Sequence, residues 1–501
     1  MLTNLKTPGV YIDEVNAFPS SAVAVETAVP VFIGYTQTAV WQGKSLVNKP
    51  TKISSFAEYV EQFGQAFVPK FTIAAPDPKT PSETFLVNKQ PMTVTLNKDN
   101  AAYFYNSIRL FYANGGGDCY ILSVGTYGDK PDGFTIQASD FIGSATNPIS
   151  VFTLLEREFE PTMLVFPDII ALGKDAYTEV YTQALIHCHT VQSRVCLFDL
   201  RLQGFGEKTD DVVSEFRTAI GTNFLNYGAA YYPWLNTSIV QPSEVDFQNL
   251  DASVDLTKLL PEPTAQTIAT NFKAANATDP TSMMNYHQSL QAASPTYVAI
   301  LTEVRKHLNQ LPPSGAMAGI YTLVDNSRGV WKSPANVSLS MVNAPSVNVS
   351  AAEQEGLNVD VMAGKSINVI RPFPGIGTLI WGARTLDGNS QDWRYINVRR
   401  TLIMIEQSLK LATRTYVFES NDANTWVTVK GMMVNFLTNL WKQGALAGAV
   451  PEQAFDVQIG LGATMTPQDI LDGYMRITVK VAIVHPAEFI VITFQQQQQL
   501  S

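Results

Sequence analysis

Short apolar runs alternate with helical stretches from residue 29 to residue 232, and this alternation restricts the fold more than any other feature. Runs at 29–34, 119–124, 163–166, 195–200 and 229–232 are nearly continuous in Val, Ile, Leu, Phe and Tyr. Helical patterns at 54–63, 101–113, 174–188 and 210–225 separate them. A strand apolar on both faces has to be covered on both faces, the condition of a parallel sheet between helical layers. The predicted class is therefore α/β, followed by a C-terminal part of α+β character.

A chain of 501 residues has material for about three domains. Only 16% of its residues are charged, against about 25% in ordinary soluble domains. Either Ser, Thr, Asn and Gln carry the surface, or other subunits cover much of it. Acidity is concentrated before residue 371, with 23 Lys+Arg against 34 Asp+Glu, whereas residues 371–501 carry 11 against 10. An overall charge of −10 opposes a nucleic-acid binder, which needs basic surface to neutralise phosphates. The N-terminus lacks the basic-then-apolar pattern of a signal peptide, and no run approaches the ~20 apolar residues of a membrane span. Synthesis and assembly in the cytoplasm without a signal, and no direct membrane insertion, are the corresponding expectations.

Residues 1–25 read as an arm. Val10, Tyr11 and Ile12 form a β-prone run too short to bury itself. Ser55 with Glu58 suggests a capping box opening the helix at 54–63. The segments 68–100, 126–160 and 240–293 read as insertions into an outer α/β region spanning 26–370, the last as an exposed, Pro-punctuated excursion ahead of a helix capped by Ser294. From 371 to 501 the texture is that of a separate inner domain. Val398, Leu402, Ile405 and Leu409 within 390–411, continued by Ala412, make one helical stripe, and Trp426, Val429, Met433, Phe436 and Leu440 make another within 425–443. Strand patterns follow at 476–484 and 488–494, the latter with Phe489, Ile490, Val491 and Ile492 apolar on both faces. A Gln-rich tail, expected to be disordered, ends the chain.

Motifs for chemistry fail on spacing. Met362 to Ser366 reads Met-Ala-Gly-Lys-Ser, but the leading glycine of a phosphate loop falls on Val359, so a turn between two strands is expected. Gly375 and Gly377 lack a third glycine, Ile380 standing in its place. Cys119, Cys188 and Cys196 form an odd set without a CxxC pair, and His187, Cys188 and His189 point apart at a helix end. A buried cysteine and half-exposed histidines are the expectation there. Residues 314–319 resemble the nucleophile helix of subtilisin-like proteases, yet neither His187 nor His189 has the setting of a catalytic base. The residues therefore predict no catalytic site, no metal and no cofactor.

Several stretches resemble the contractile tail sheath family of phage tails, R-type pyocins and extracellular contractile injection systems. They include Thr7-Pro8-Gly9-Val10-Tyr11-Ile12, Tyr232-Pro233-Trp234, residues 312–321 and 328–336, Trp381-Gly382-Ala383-Arg384-Thr385-Leu386, residues 393–400, Val417-Phe418-Glu419-Ser420-Asn421-Asp422 and Pro486-Ala487-Glu488-Phe489. The resemblance implies a multi-domain structural protein that polymerises with itself as stacked hexameric rings around an inner tube and contracts. Baseplate and terminal cap proteins, with sheath paralogues, are the further partners implied, within a phage tail or a tail-like particle released from the cell. The C-terminal domain would face the tube, and arms from neighbours would complete its small sheet.

On that reading Val10–Ile12 and Phe489–Ile492 are inter-subunit strands; on the residues alone they serve equally as terminal strands of one internal sheet. Asn435, Asn439 and Lys442 share a helix face opposite Met433, as a tube-facing surface or as an ordinary solvated face. A degenerate subtilisin-like hydrolase and a non-contractile coat or tube subunit are the competing functions.

Overall fold

The structure is a computed structural model that describes residues 22–79, 81–128, 133–145, 148–272 and 279–492. Two compact units divide these residues: 27–400 form the larger, and 22–26 with 401–492 form the smaller. The boundary lies at Thr401, not at Arg371 as the sequence suggests. The change of texture at Arg371 belongs to a hairpin of the larger unit's sheet.

That sheet contains β1 (Pro30–Thr36), β2 (Thr51–Ile53), β3 (Cys119–Thr126), β4 (Met163–Val165), β5 (Val195–Asp199), β6 (Gly228–Tyr232), β7 (Asn368–Phe373) and β8 (Gly377–Ile380). Their spatial order is β8-β7-β6-β5-β4-β1-β3-β2. Pairings from β3 through β7 are parallel, and β2 and β8 close the two edges antiparallel. Every residue of β1, β4, β5 and β6 is buried, which explains their unbroken apolar character. The strand order reverses between β1 and β4, as in doubly wound folds.

Covering helices include α1 (Phe104–Ala113), α2 (Lys174–Val191), α3 (Thr209–Ala219) and α4 (Ser314–Arg328). The first ten residues of α4, from Ser314, are buried with one exception, so it is a core helix rather than a surface one. It crosses α1 without intervening side chains: a Cβ at Gly315 would lie 2.5 Å from the Ser107 carbonyl oxygen, and one at Gly319 2.5 Å from that of Phe111.

Two insertions meet. A three-stranded antiparallel sheet (Phe71–Ala74, Phe85–Val87, Gln90–Leu96) contributes Phe71, Val87 and Val94 to a second core with Leu260, Leu290, Tyr297 and Ile300. The segment 240–293 is thus packed through its apolar residues and is not merely an exposed excursion. Helix Pro295–Leu308 starts at Ser294, whose hydroxyl accepts from Tyr297 N. At Ser55 half the expected box forms: Ser55 accepts from Glu58 N, while the Glu58 carboxylate accepts from Ser54 N and Oγ.

Where the chain enters and leaves the larger unit, Arg400 gathers both ends. Its guanidinium donates to Asp325 Oδ1 (3.0 Å) and Oδ2 (2.6 Å) and to the Thr27 carbonyl (2.9 Å). Thr27 Oγ1 donates to Asp325 Oδ2 (2.6 Å), and the guanidinium lies 4.5 Å from the Tyr321 ring centre. The ion pair is 4% and 2% exposed.

In the smaller unit, α5 (Ile396–Thr413), which carries the boundary, is followed by α6 (Ala423–Lys442), β9 (Phe455–Ile459) and β10 (Ile477–Val481). The strand β10 was legible in sequence; its antiparallel partner β9 was not. Val429, Met433, Phe436 and Leu440 of α6 are buried, as their spacing predicts.

Replacing Gly319 with Val should destabilise the larger unit by about 1–3 kcal/mol, because the new side chain overlaps the α1 backbone. A thermal melt checks this; an unchanged melting temperature would show that α1 and α4 can separate.

Candidate functional site

The carboxyl ends of the parallel strands open onto a cleft of about 190 Å³ lined by Tyr35, Tyr103, Arg109, Asp168, Trp234 and His307. Doubly wound sheets bind ligands at such strand-order reversals, commonly an anion at a helix N-terminus. Here the chain supplies its own anions. Asp168, just after β4, accepts from Tyr103 N (2.8 Å) and Phe104 N (3.0 Å) at the start of α1, and from Tyr35 N (3.2 Å). Gly34 permits this, since a Cβ there would lie 2.8 Å from Asp168 Oδ2 and 2.4 Å from Phe104.

Asp199, the last residue of β5, does the same for α4. It accepts from Ser314 N (2.8 Å) and from Ser314 Oγ (2.5 Å). Burial raises both carboxyls, Asp168 to about 6 and Asp199 to about 7, against the hydrogen bonds that favour their charged forms. The structure therefore joins two residues of a would-be catalytic set, Ser314 and Asp199, but no histidine enters their hydrogen bonds. The serine hydroxyl is a helix-start contact.

Lys365 is equally committed. Its ammonium donates to the Arg217 carbonyl, while Asp360 accepts from the backbone of Met362, Ala363 and Lys365. The segment joins helix Ala351–Asn358 to β7, not two strands as expected. His187 is buried, not half-exposed: Arg194 Nη1 lies 3.3 Å from its Nε2, and burial with this cation pushes its pKa down to about 3. His189 stacks on Phe224 at 3.9 Å. Among the described residues no group of three or more His, Cys, Asp or Glu could hold a metal. No described helix is long and apolar enough to cross a membrane.

In the smaller unit the candidate residues lie on surfaces. Asn435, Asn439 and Lys442 are all exposed on α6, away from its buried Met433 face. The β9–β10 sheet has two strands, with the chain running back alongside β10 through an isolated bridge from Leu446 to Ile483. Phe489, Ile490, Val491 and Ile492 are 72%, 79%, 88% and 70% exposed and pair with no strand among the described residues. The predicted strand at 488–494 is therefore absent over its described part, because nothing among the described residues supplies the neighbour it needs. Val10, Tyr11 and Ile12 lie outside the described residues, as does the Gln-rich tail.

The doubly wound core and the small terminal unit define a structural class by comparison. The fold aligns over 99% of this chain and 99% of the sheath protein of an extracellular contractile injection system, the PVC sheath complex in its contracted state, with TM-score 0.62 and 28% identity. A chain of the anti-feeding prophage baseplate aligns over 99% of this chain and 100% of its own length, with TM-score 0.59 and 28% identity. Residues 389–497 match the phage tail sheath C-terminal domain family. The tail sheath protein of Vibrio phage KVP40 is 25% identical over 162 residues, 32% of this chain and 23% of that relative. The matched region thus spans less than a quarter of this curated relative. Along its length the fold is similar to these contractile sheath proteins, and the match to the phage tail sheath family falls on its C-terminal residues.

Because the folded-state values of Asp168 and Asp199 lie above the unfolded one, their favourable contribution is complete at low pH and is lost as pH rises through about 6 and 7. Between pH 7 and 5 Asp199 should add about 1.4 kcal/mol of stability for each pH unit of fall, set against His187, whose lowered value takes stability away as pH drops below the ordinary histidine range. Asp199→Asn, which cannot ionise but still accepts from Ser314, should flatten that slope. Thermal melts across this range check it, and identical slopes in both proteins would refute the assignment.

Proposed function

We propose that the chain is the structural subunit of a contractile sheath, polymerising with itself as stacked hexameric rings around an inner tube and acting without catalysis. One observation carries this reading: four consecutive exposed apolar residues, Phe489 to Ile492, in the same unit as a two-stranded sheet. An isolated two-stranded sheet is marginal in water, and strands apolar on both sides persist only inside a larger sheet. Strand addition between copies answers both needs through backbone hydrogen bonds, so the connection can pivot without being broken. Head-to-tail contacts of this kind build open filaments.

The self-filled helix starts and the committed Lys365 support a mechanism in which no nucleotide is hydrolysed; the work of contraction is stored during assembly. The likeness to a baseplate chain supports contact with a baseplate at one end, with cap proteins or sheath paralogues elsewhere. The particle is of the phage-tail type, assembled in the cell and acting outside it. On α6, Asn435, Asn439 and Lys442 face the tube.

Deleting Phe489–Ser501 should leave a soluble, folded protein that no longer polymerises. Circular dichroism melting and negative-stain microscopy read the two properties separately. Normal tubes from the truncated chain would eliminate the strand-exchange reading, and loss of folding would assign the segment to its own subunit.

Lys442→Glu should weaken co-assembly with the tube, more so at low salt where charge contacts are least screened, and leave the folding stability within about 0.5 kcal/mol of wild type. Unaltered co-assembly at low salt would count against a tube-facing α6.

A further inference from the structure

The three cysteines, unpromising in sequence, are brought into unequal settings. Cys119 contacts the Tyr112 hydroxyl at 3.5 Å. Cys188, near the end of α2, and Cys196, in β5, place their Sγ atoms 3.4 Å apart although neither is bonded. Both are fully buried between helix and sheet.

A cation accompanies the pair. The Arg194 guanidinium is 1% exposed, donates to the carbonyls of Leu155 (3.0 Å) and Glu158 (2.5 Å), and acts electrostatically on both thiols. Its Nε has no acceptor among the described residues. Burial holds the Cys196 thiol well above its ordinary value and the Arg194 cation works against that rise, so the anionic sulfur that attacks a disulfide forms once the pair is opened to solvent. The neighbouring His187, held neutral by burial and by the same cation, does not compete as a base.

We propose that Cys188 and Cys196 are a disulfide-forming site, reduced in a thiol-rich compartment and closed when the protein meets an oxidising one. The oxidant is a small-molecule disulfide. Two S–H bonds break and one S–S bond forms between the cysteines. Their two electrons reduce the incoming disulfide, and the two protons leave on the two small thiols released. Access comes from fraying at the end of α2. Cys188 lies in its last turn, and its carbonyl accepts from Gln192 N (2.9 Å), where the helix ends in a left-handed residue. The bond closes a short loop of residues eight apart and ties α2 to β5 in the middle of the sheet.

The test equilibrates the purified full chain in oxidised and reduced glutathione, then quenches, unfolds, alkylates with iodoacetamide and maps the peptides. The expected oxidised product is lighter by two hydrogens, joins Cys188 to Cys196 and leaves Cys119 alkylated. Its melting temperature should rise by roughly 2–4 °C, a gain that Cys196→Ser abolishes. Because burial could slow exchange, the same assay is run after oxidative refolding from denaturant. Three alkylated cysteines after both treatments would overturn the proposal, as would a bridge to Cys119 or a stable glutathione adduct on wild-type Cys188.

Discussion

A helix placed with its N-terminus over the end of a parallel sheet presents unpaired N–H groups that demand an acceptor. The larger unit depends on how that demand is met. Asp168 and Asp199 stand at the ends of consecutive strands and hold α1 and α4, the two helices whose backbones meet at Gly315 and Gly319. Close backbone crossing, buried carboxylates and the bare Gly34 are one arrangement. In many proteins of this topology the acceptor is a bound phosphate; here it is part of the chain, and the topology is left as scaffold.

The strand-helix alternation was legible because buried parallel strands must be apolar throughout, so β1, β3, β4, β5 and β6 stand out without knowledge of their neighbours. The hairpin β7–β8 was not, since its pairing with β6 joins residues far apart in sequence. Arg371 consequently looked like the start of a domain, although it lies within a strand of the large sheet. The segment 240–293 misled for a related reason. Two of its four prolines, Pro263 and Pro280, open α-helices, and its apolar partners lie in the strands at 71–96.

At the candidate surfaces the division is different. The exposed face of α6 was readable from helical periodicity alone, because Asn435, Asn439 and Lys442 are set by the same spacing that buries Met433. Phe489 to Ile492 were readable as a strand in character but not in place, since character is local and a strand requires a second chain segment. The Ser314–Asp199 and Cys188–Cys196 meetings had no signal in spacing: each is made by two elements whose registers are fixed only once the sheet has formed.

The Arg400–Asp325–Thr27 contact has a mechanical consequence. Both covalent links by which residues 22–26 and 401 onward continue from the larger unit are fastened to the same carboxylate, one directly and one through a guanidinium. Tension on either link is therefore borne jointly at one rivet instead of unzipping β1 or α5 in turn.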